Sequence, residues 1–231
     1  MKNICDNIKS IKNTIGLVKN VSVGIELVVV TKGVFCQDVL EAIKCGIKHI
    51  GESKIQEALP KFKQLGSDFD GITKHFIGRL QSNKVKRAVE IFDLIQSLDS
   101  LKLAIDINRH AADINKVQNC LIEVKVSQEA TKIGVSPKDV KGFYEKCQLI
   151  PNILIKGLMV IMPLSDNPKD LRFYFRQAHN LFEDIKKTSN NSDFSVLSMG
   201  MSDDYKIAIE EGSTMVRIGS AIFGERDYGN K

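Results

Sequence analysis

The chain has 231 residues, of which 43% are hydrophobic and 26% are charged, and its formal net charge is +5. This length suits a single domain, residues 1–231, of the size of an α/β barrel, and no Pro/Gly/Ser-rich linker suggests a boundary. No run of about 18 apolar residues predicts a membrane helix, and the charged start lacks an apolar signal region, so we expect a cytoplasmic protein.

The cysteines and histidines do not form a recognisable metal motif. No pair of the five cysteines has CxxC spacing, and the four histidines show neither HxxxH nor HExxH. We expect no metal site and separate, reduced thiols. The basic residues are spread along predicted helices without interleaved aromatic residues, which argues against a nucleic-acid partner. No coiled coil or exposed apolar stripe is evident, so we expect a monomer.

Strand-like and helix-like segments alternate along the chain after an extra N-terminal helix. That helix carries an apolar stripe at helical spacing: Ile4, Ile8, Ile11, Ile15 and Val18. The predicted strands are 26–31, 47–51, 73–78, 94–97, 120–126, 155–162, 194–198 and 215–218. Because helical stripes separate them, the sequence predicts a parallel sheet with helices outside. Eight such units favour one closed (β/α)8 TIM barrel over an open sheet.

The last two predicted strands end in small residues with free backbone N–H groups. Ser198 and Gly200 end the seventh strand, and Gly219 and Ser220 end the eighth, each before a predicted helix start. Such N–H groups bind anions, and the phosphate site of a (β/α)8 barrel usually lies after its last two strands. These segments are therefore predicted to hold a phosphate.

Lys32 follows the apolar run 27–31 at the end of the first predicted strand. An amine at the rim of a barrel core loses hydration, and a cation on the neighbouring eighth strand, Arg217, acts in the same direction. We therefore expect a nucleophilic amine that forms Schiff bases with aldehydes. The alternative is a lysine that points to solvent at a strand end, and position alone does not decide between them.

An amine, a phosphate site and a guanidinium at one barrel mouth suit pyridoxal 5′-phosphate (PLP). Arg217 would face the ring nitrogen; because a guanidinium can only donate hydrogen bonds, it favours an unprotonated nitrogen and a weak electron sink. The cofactor would then be bound but poorly primed for carbanion chemistry. The expected cofactor-binding residues are Lys32, Ser198, Gly200, Arg217, Gly219 and Ser220.

Several motifs make the chain resemble the pyridoxal phosphate homeostasis protein family, small relatives of the alanine racemase barrel. They lie at 29–32, 50–57, 75–84, 157–159, 195–204 and 215–224. The resemblance implies an alanine racemase N-terminal-type barrel that carries or buffers PLP as an aldimine of Lys32, in vitamin B6 and amino-acid homeostasis, without established catalysis. PLP-dependent apo-enzymes are its implied partners. The chain departs from the family at Gly33 and Phe35, and at Ser53-Lys54, where Asn-Arg is usual.

Two further functions stay open. An amino-acid racemase needs an acid/base group on each face of the substrate carbanion; in the racemase family a tyrosine from a separate C-terminal domain supplies one, whereas this chain stops at Lys231. None of Tyr144, Tyr174, Tyr205 and Tyr228 is an obvious second base. The other candidate is a barrel that uses Lys32 on a sugar phosphate, as some aldolases do.

Two buried-looking ionisable residues carry weaker expectations. Glu52 is expected either to pair with a nearby cation in the barrel mouth or to transfer protons. His75 is expected to pack within the third strand and to form local hydrogen bonds.

Overall fold

The structure, a computed structural model, describes residues 3–18, 24–126, 134–163, 165, 167–189 and 191–225. Parallel strands β1 to β8 close into a barrel, in which each strand pairs with the next and β8 pairs with β1. Their bounds are Glu26–Val30, His49–Glu52, Thr73–Phe76, Leu94–Leu98, Gln118–Val124, Ile153–Val160, Val196–Ser198 and Met215–Ile218. The predicted (β/α)8 barrel is therefore confirmed, with strand boundaries displaced by a few residues.

Helices follow the strands and cover the outside of the barrel. Helices α1 to α9 are Ile4–Leu17, Cys36–Lys44, Ile55–Leu65, Val85–Ile91, Leu101–Ala112, Val140–Cys147, Pro168–Thr188, Tyr205–Glu210 and Ser220–Phe223. The extra helix α1 begins at an N-cap, because the Asn3 side chain accepts a hydrogen bond from the Asp6 amide. It buries the predicted stripe at Ile4, Ile8 and Ile11. No helix in the described ranges combines the length and apolarity of a membrane span.

Alternation along the strands divides the apolar residues between two layers. Every fully buried member of one cluster comes from a strand, which places that cluster inside the barrel: Val28, Leu94, Leu121, Met159 and Met215. The intervening residues of β1, Leu27 and Val29, instead pack with helix residues outside. Since side chains on a strand face one side at every second position, the inward positions above this cluster form the barrel mouth.

The cysteines depart from the sequence prediction at one pair. Cys5 of α1 and Cys45, directly after α2, form a disulfide with their Cα atoms 5.5 Å apart, within the usual range for such bonds. Cys36, Cys120 and Cys147 are free. The expectation of separate thiols is wrong for Cys5 and Cys45, because their spacing of 40 residues carries no motif and only the packing of α1 against α2 joins them.

Candidate functional site

An open cavity of about 480 Å³ occupies the C-terminal mouth of the barrel. Lys32, which follows β1, lines it together with Arg217 of the neighbouring strand β8 and with Gly219 and Ser220, which follow that strand. Apolar side chains line it at Val30, Ile77, Ile161 and Met201, and the remaining lining residues are polar: Ser53, Ser202, Asp203 and Glu225. The cavity therefore combines an amine, a guanidinium, two carboxyl groups and small polar residues with four apolar side chains.

The six predicted site residues take two kinds of position. Lys32, Arg217, Gly219 and Ser220 line the cavity. Ser198 is fully buried below it, and Gly200 lies behind Arg217, where its carbonyl accepts the Arg217 amide at 3.0 Å. Gly200 has φ +97°, and a Cβ there would come within 2.6 Å of the Ala208 Cβ, so only glycine fits. Ser198 and Gly200 thus contact Arg217 rather than line the cavity.

Two backbone amides at the start of α9 contact the Ser202 hydroxyl beside the cavity. The Ser202 hydroxyl accepts hydrogen bonds from the Gly219 amide at 3.4 Å and the Ala221 amide at 3.2 Å. The Gly219 amide is therefore not free, contrary to the expectation from the sequence, because the Ser202 hydroxyl, which also lines the cavity, accepts from it. Ser202, Gly219 and Ser220 line the same cavity, and the phosphate site expected there stays a prediction.

Lys32 lies in a turn just beyond the last residue of β1. The residue is exposed, since β1 ends at Val30 and the backbone turns at Lys32 and Gly33. The loss of hydration that the sequence predicted for this amine is therefore not seen, because the residue is exposed. Lys32 nevertheless faces the same cavity as Arg217, as the closed barrel requires of the neighbouring strands β1 and β8.

Arg217 is held almost completely out of solvent, with 4% of its surface exposed. Its Nη1 donates to the Ser198 carbonyl at 2.8 Å and to the Ser198 hydroxyl at 2.7 Å, and its Nη2 donates to the Val160 carbonyl at 2.9 Å. Burial lowers the pKa of Arg217 to about 10, against the opposing effect of Asp204 and Glu123. The guanidinium therefore stays charged at neutral pH and has a fixed direction.

A chain of buried hydrogen bonds runs from Arg217 into the barrel. The Ser198 hydroxyl donates to Gln96 Oε1 at 2.7 Å, and Gln96 Nε2 lies 2.9 Å from His75 Nδ1. His75 Nε2 lies 3.0 Å from Nδ1 of His49, which is partly exposed at the N-terminal end of β2. An amide nitrogen only donates, so His75 Nδ1 accepts and its proton sits on Nε2, facing His49.

The charge state of this chain is also set by burial. Burial and the neighbouring His49 lower the pKa of His75 to about 3, so its ring is neutral near pH 7. This confirms the expectation that His75 packs within the third strand, and it adds a role, because the neutral ring orients Gln96 and through it Ser198. The sequence showed no spacing that connects residues 75, 96, 198 and 217.

Glu123 is an acidic neighbour of Arg217 that the sequence analysis missed. It lies two residues after the inward-facing Leu121, so it shares the inner face of β5 at the mouth. Burial and Asp99 raise the pKa of Glu123 to about 7, although Arg217 and Arg79 act in the opposite direction. Counting every second residue from the buried centre of each strand toward its C-terminal end would have found Glu123, as it would Val30.

Glu52 pairs with the cation Lys61, which agrees with one of the two expectations from the sequence. The pair does not, however, lie in the barrel mouth. Gly51, the neighbour of Glu52, faces Val28 and Ile77 inside the barrel, whereas Glu52 contacts Lys61 of α3. Because adjacent strand residues face opposite sides, Glu52 lies between the sheet and α3, on the outer face. Ser53, in contrast, lines the cavity even though Ser stands there instead of the usual Asn.

Within the ranges that the structure describes, no three His, Cys, Asp or Glu side chains come together in a way that could hold a metal ion. Ser127, which follows the fifth predicted strand, and Tyr228 lie outside those ranges.

Comparison with known proteins places this fold and cavity in a family. The family model for the alanine racemase N-terminal domain matches residues 2–227. A pyridoxal phosphate homeostasis protein of Aquifex aeolicus is 46% identical over 188 residues, which cover 81% of each chain. The protein of the same name from Pasteurella multocida is 35% identical over 227 residues, covering 98% of this chain and 97% of that protein.

Solved structures show the same relationship. PipY of Synechococcus elongatus, in a structure with PLP bound, is 32% identical with a TM-score of 0.86 and covers 96% of this chain and 100% of that chain. Alanine racemase from Streptomyces coelicolor is 13% identical with a TM-score of 0.78, and the match covers 96% of this chain but 57% of the racemase. At that identity the racemase supports the barrel fold alone.

Proposed function

The chain belongs to the alanine racemase N-terminal domain family and, within it, to the pyridoxal phosphate homeostasis proteins, and from this premise we propose that it binds PLP covalently through Lys32 and carries or buffers it. The observation that supports this most directly is the single cavity that joins Lys32, Arg217 and the residues at the start of α9. A relative of the same fold was solved with PLP bound.

The residues of the cavity match the three chemical groups of PLP. Lys32 supplies an amine for the aldehyde, and the amides of Gly219 and Ala221 with the Ser220 hydroxyl supply donors for the phosphate. Val30, Ile77, Ile161 and Met201 offer apolar walls for the ring. Pyridoxal phosphate supplies a reactive aldehyde and an electron-withdrawing ring.

Arg217 supports a holding role rather than turnover. The pKa of Arg217 is lowered only to about 10, so this fixed group donates hydrogen bonds and cannot accept one at neutral pH. Facing a ring nitrogen, it keeps that nitrogen unprotonated and leaves the ring a weak electron sink. A protein built in this way retains the cofactor without efficiently activating a bound amino acid.

The described tyrosines also favour a holding role over racemisation. Tyr144 and Tyr205 are buried in packing contacts, Tyr174 packs against the core from α7, and none of these three lines the cavity. Racemisation needs a second acid/base group opposite the lysine. If this protein is a racemase, purified protein loaded with PLP should exchange the Cα proton of common amino acids well above free PLP; a holding protein should not exceed that background.

Borohydride reduction followed by peptide mapping tests the proposal directly. We expect the purified wild-type protein, mixed with PLP and reduced, to carry the cofactor on the peptide that contains Lys32. Lys32→Ala should lose this label, whereas Lys54→Ala, which changes an exposed lysine after β2, should keep it. Label that persists in Lys32→Ala, or that is absent from the wild-type protein, would contradict the assignment.

The cellular setting stays a prediction. We propose a cytoplasmic, monomeric protein that passes PLP to PLP-dependent apo-enzymes, which the sequence resemblance implies. Sedimentation of the loaded protein would test the monomer. Transfer to a PLP-free aminotransferase, faster than from an equal concentration of free PLP, would test the delivery.

A further inference from the structure

We propose that Lys61, Glu57 and Glu52 form a buried ionic clamp that positions the Lys32 amine from behind the sheet. These side chains lie in the layer between β1, β2 and α3, outside the barrel, and none of them lines the cavity. The inference rests on the proposed function of Lys32, and it assigns the three residues a role in holding the turn that carries this amine.

Lys61 is the centre of the clamp. Although it belongs to a helix on the surface of the barrel, only 5% of it is exposed. Its Nζ donates to the Thr31 carbonyl at 2.6 Å, to Glu52 Oε1 at 2.5 Å and to Glu57 Oε1 at 3.1 Å. All three donors of the ammonium group are therefore used, which is what a buried charge requires.

The clamp holds backbone groups on both sides of Lys32. On one side, the Thr31 carbonyl accepts from Lys61, and the Thr31 hydroxyl donates to Glu52 Oε1 at 2.7 Å. On the other side, the Gly33 amide donates to Glu57 Oε1. Lys32 is thus the single residue between two backbone groups tied to the same ionic cluster, while its own side chain stays exposed and free to react.

Glycine is the residue that makes this geometry possible. Gly33 has φ +67°, in the left-handed region that other residues rarely adopt. This conformation turns the chain directly after Lys32 and brings the residue 33 amide to Glu57. The departure from the family sequence at position 33 therefore coincides with a contact of the clamp.

Because the clamp is buried, replacing any one of its three residues should lower the stability of the protein. Burial raises the pKa of Glu52, against the effects of Lys61 and Thr31, and Glu52 Oε2 finds no partner within the described residues. A packed cluster of this kind is costly to break on one side, because one charge then stays buried without its partner. A test must therefore separate positioning of Lys32 from general stability.

The first variant is Glu57→Ala, which removes the acceptor of the Gly33 amide from a residue at the edge of the cluster. Loss of a hydrogen bond to a charged group corresponds to a factor of about 10 or more in an equilibrium constant. We expect hydrogen exchange at the Gly33 amide to become about 10-fold faster, and the equilibrium for covalent capture of PLP to weaken about 10-fold. Glu57→Gln should restore both, since its Oε1 still accepts.

The second variant is Glu52→Gln combined with Lys61→Met, which removes the two most buried charges together and leaves neither unpaired. It should remove the Lys61 hydrogen bond to the Thr31 carbonyl, which keeps its bond from the Val34 amide, and again weaken PLP capture about 10-fold. Lys63→Met is the matched control, because it makes the same substitution at an exposed position of the same helix. If the double variant does not fold, Glu57→Ala and Glu57→Gln decide the question.

The outcomes separate the clamp from the proposed function. Faster Gly33 exchange and weaker PLP capture in Glu57→Ala, both restored in Glu57→Gln, support the clamp. Exchange and capture within two-fold of the Lys63→Met control overturn it, as does faster exchange with unchanged capture. If the wild-type protein captures no PLP, the proposed function fails; the clamp then stands only if Glu57→Ala changes the rate at which a small acylating reagent labels Lys32.

Discussion

The neighbouring strands β1 and β8 hold their basic residues at the barrel mouth by different means. On the β1 side, Lys32 is exposed in a turn, and charged side chains behind the sheet grip only the backbone around it. On the β8 side, Arg217 is buried within the strand, and carbonyls, a hydroxyl, an amide and a histidine hold it through neutral groups. A lysine that must react keeps its side chain free, whereas an arginine that only donates hydrogen bonds has its guanidinium group held in place.

The largest expected effect contrasts the two basic residues directly. Arg217→Met leaves the carbonyls of Ser198 and Val160 and the Ser198 hydroxyl without their buried donor, so we expect a loss of about 3 kcal/mol in the free energy of unfolding. Lys32→Met changes an exposed side chain and should alter it by no more than about 0.5 kcal/mol. Urea titration of both variants measures this; similar losses in both would remove the contrast.

The buried hydrogen bonds that connect Arg217 through Ser198 and Gln96 to His75 should make the stability of the protein sensitive to acid. The native His75 ring has a pKa of about 3, whereas the unfolded ring titrates near 6.5. The unfolded chain thus binds more protons between these values, and stability falls as the pH drops below about 6.5. By linkage, His75 accounts for about 2 kcal/mol lost between pH 7.5 and pH 5.

A histidine substitution isolates this contribution. His75→Gln should lose about 2 kcal/mol less than the wild-type protein between those two pH values. His110→Gln, which changes a partly exposed histidine of α5, is the control and should keep the wild-type dependence. If the free energy of unfolding of His75→Gln depends on pH as that of the wild-type protein does, the buried His75 ring is not held neutral.

The smallest expected effect concerns the carboxyl group that faces Arg217. The pKa of Glu123 is raised to about 7 from 4.5, so the native state binds more protons between these values and stability falls as the pH rises through that window. Water reaches part of this side chain and reduces the cost, so we expect Glu123→Gln to be more stable than wild type by about 1 kcal/mol at pH 8 and nearly equal at pH 4.5.

Thermal melts across this pH range measure the Glu123 effect. Glu145→Gln, at an exposed position of α6, serves as the matched control and should follow the wild-type protein. A Glu123→Gln variant less stable than wild type at pH 8 would mean that the Glu123–Arg217 attraction outweighs the cost of burying the carboxylate. The arginine side would then depend on an ion pair, as the lysine side does.

Much of the fold and part of the site could be predicted from local patterns. Short β-branched runs and helical stripes depend on a few neighbouring residues, and they located all eight strands to within a few positions. The ends of those strands then indicated Lys32, Arg217, Gly219 and Ser220, which line one cavity. The apolar lining and Glu123 follow from the same alternation, once the inward position of each strand is known.

Position at a strand end alone, however, did not reveal what a side chain does. Glu52 ends β2 and Ser53 follows it, yet Glu52 joins the clamp outside the barrel and Ser53 lines the cavity. Ser198 was expected at the phosphate, and the structure places it instead between Arg217 and Gln96. A shift of one residue along a strand reverses the side that a side chain faces.

The sequence by itself determined the repeating strand and helix pattern, the barrel that this pattern closes, and the basic and small residues at the strand ends. Only the tertiary structure decided which distant residues meet: His75 with Gln96, Lys61 with the turn of Lys32, and Cys5 with Cys45. The physical reason is that periodicity records which face of an element avoids water, whereas the pairing of buried polar groups depends on the register with which the closed barrel brings separate elements together.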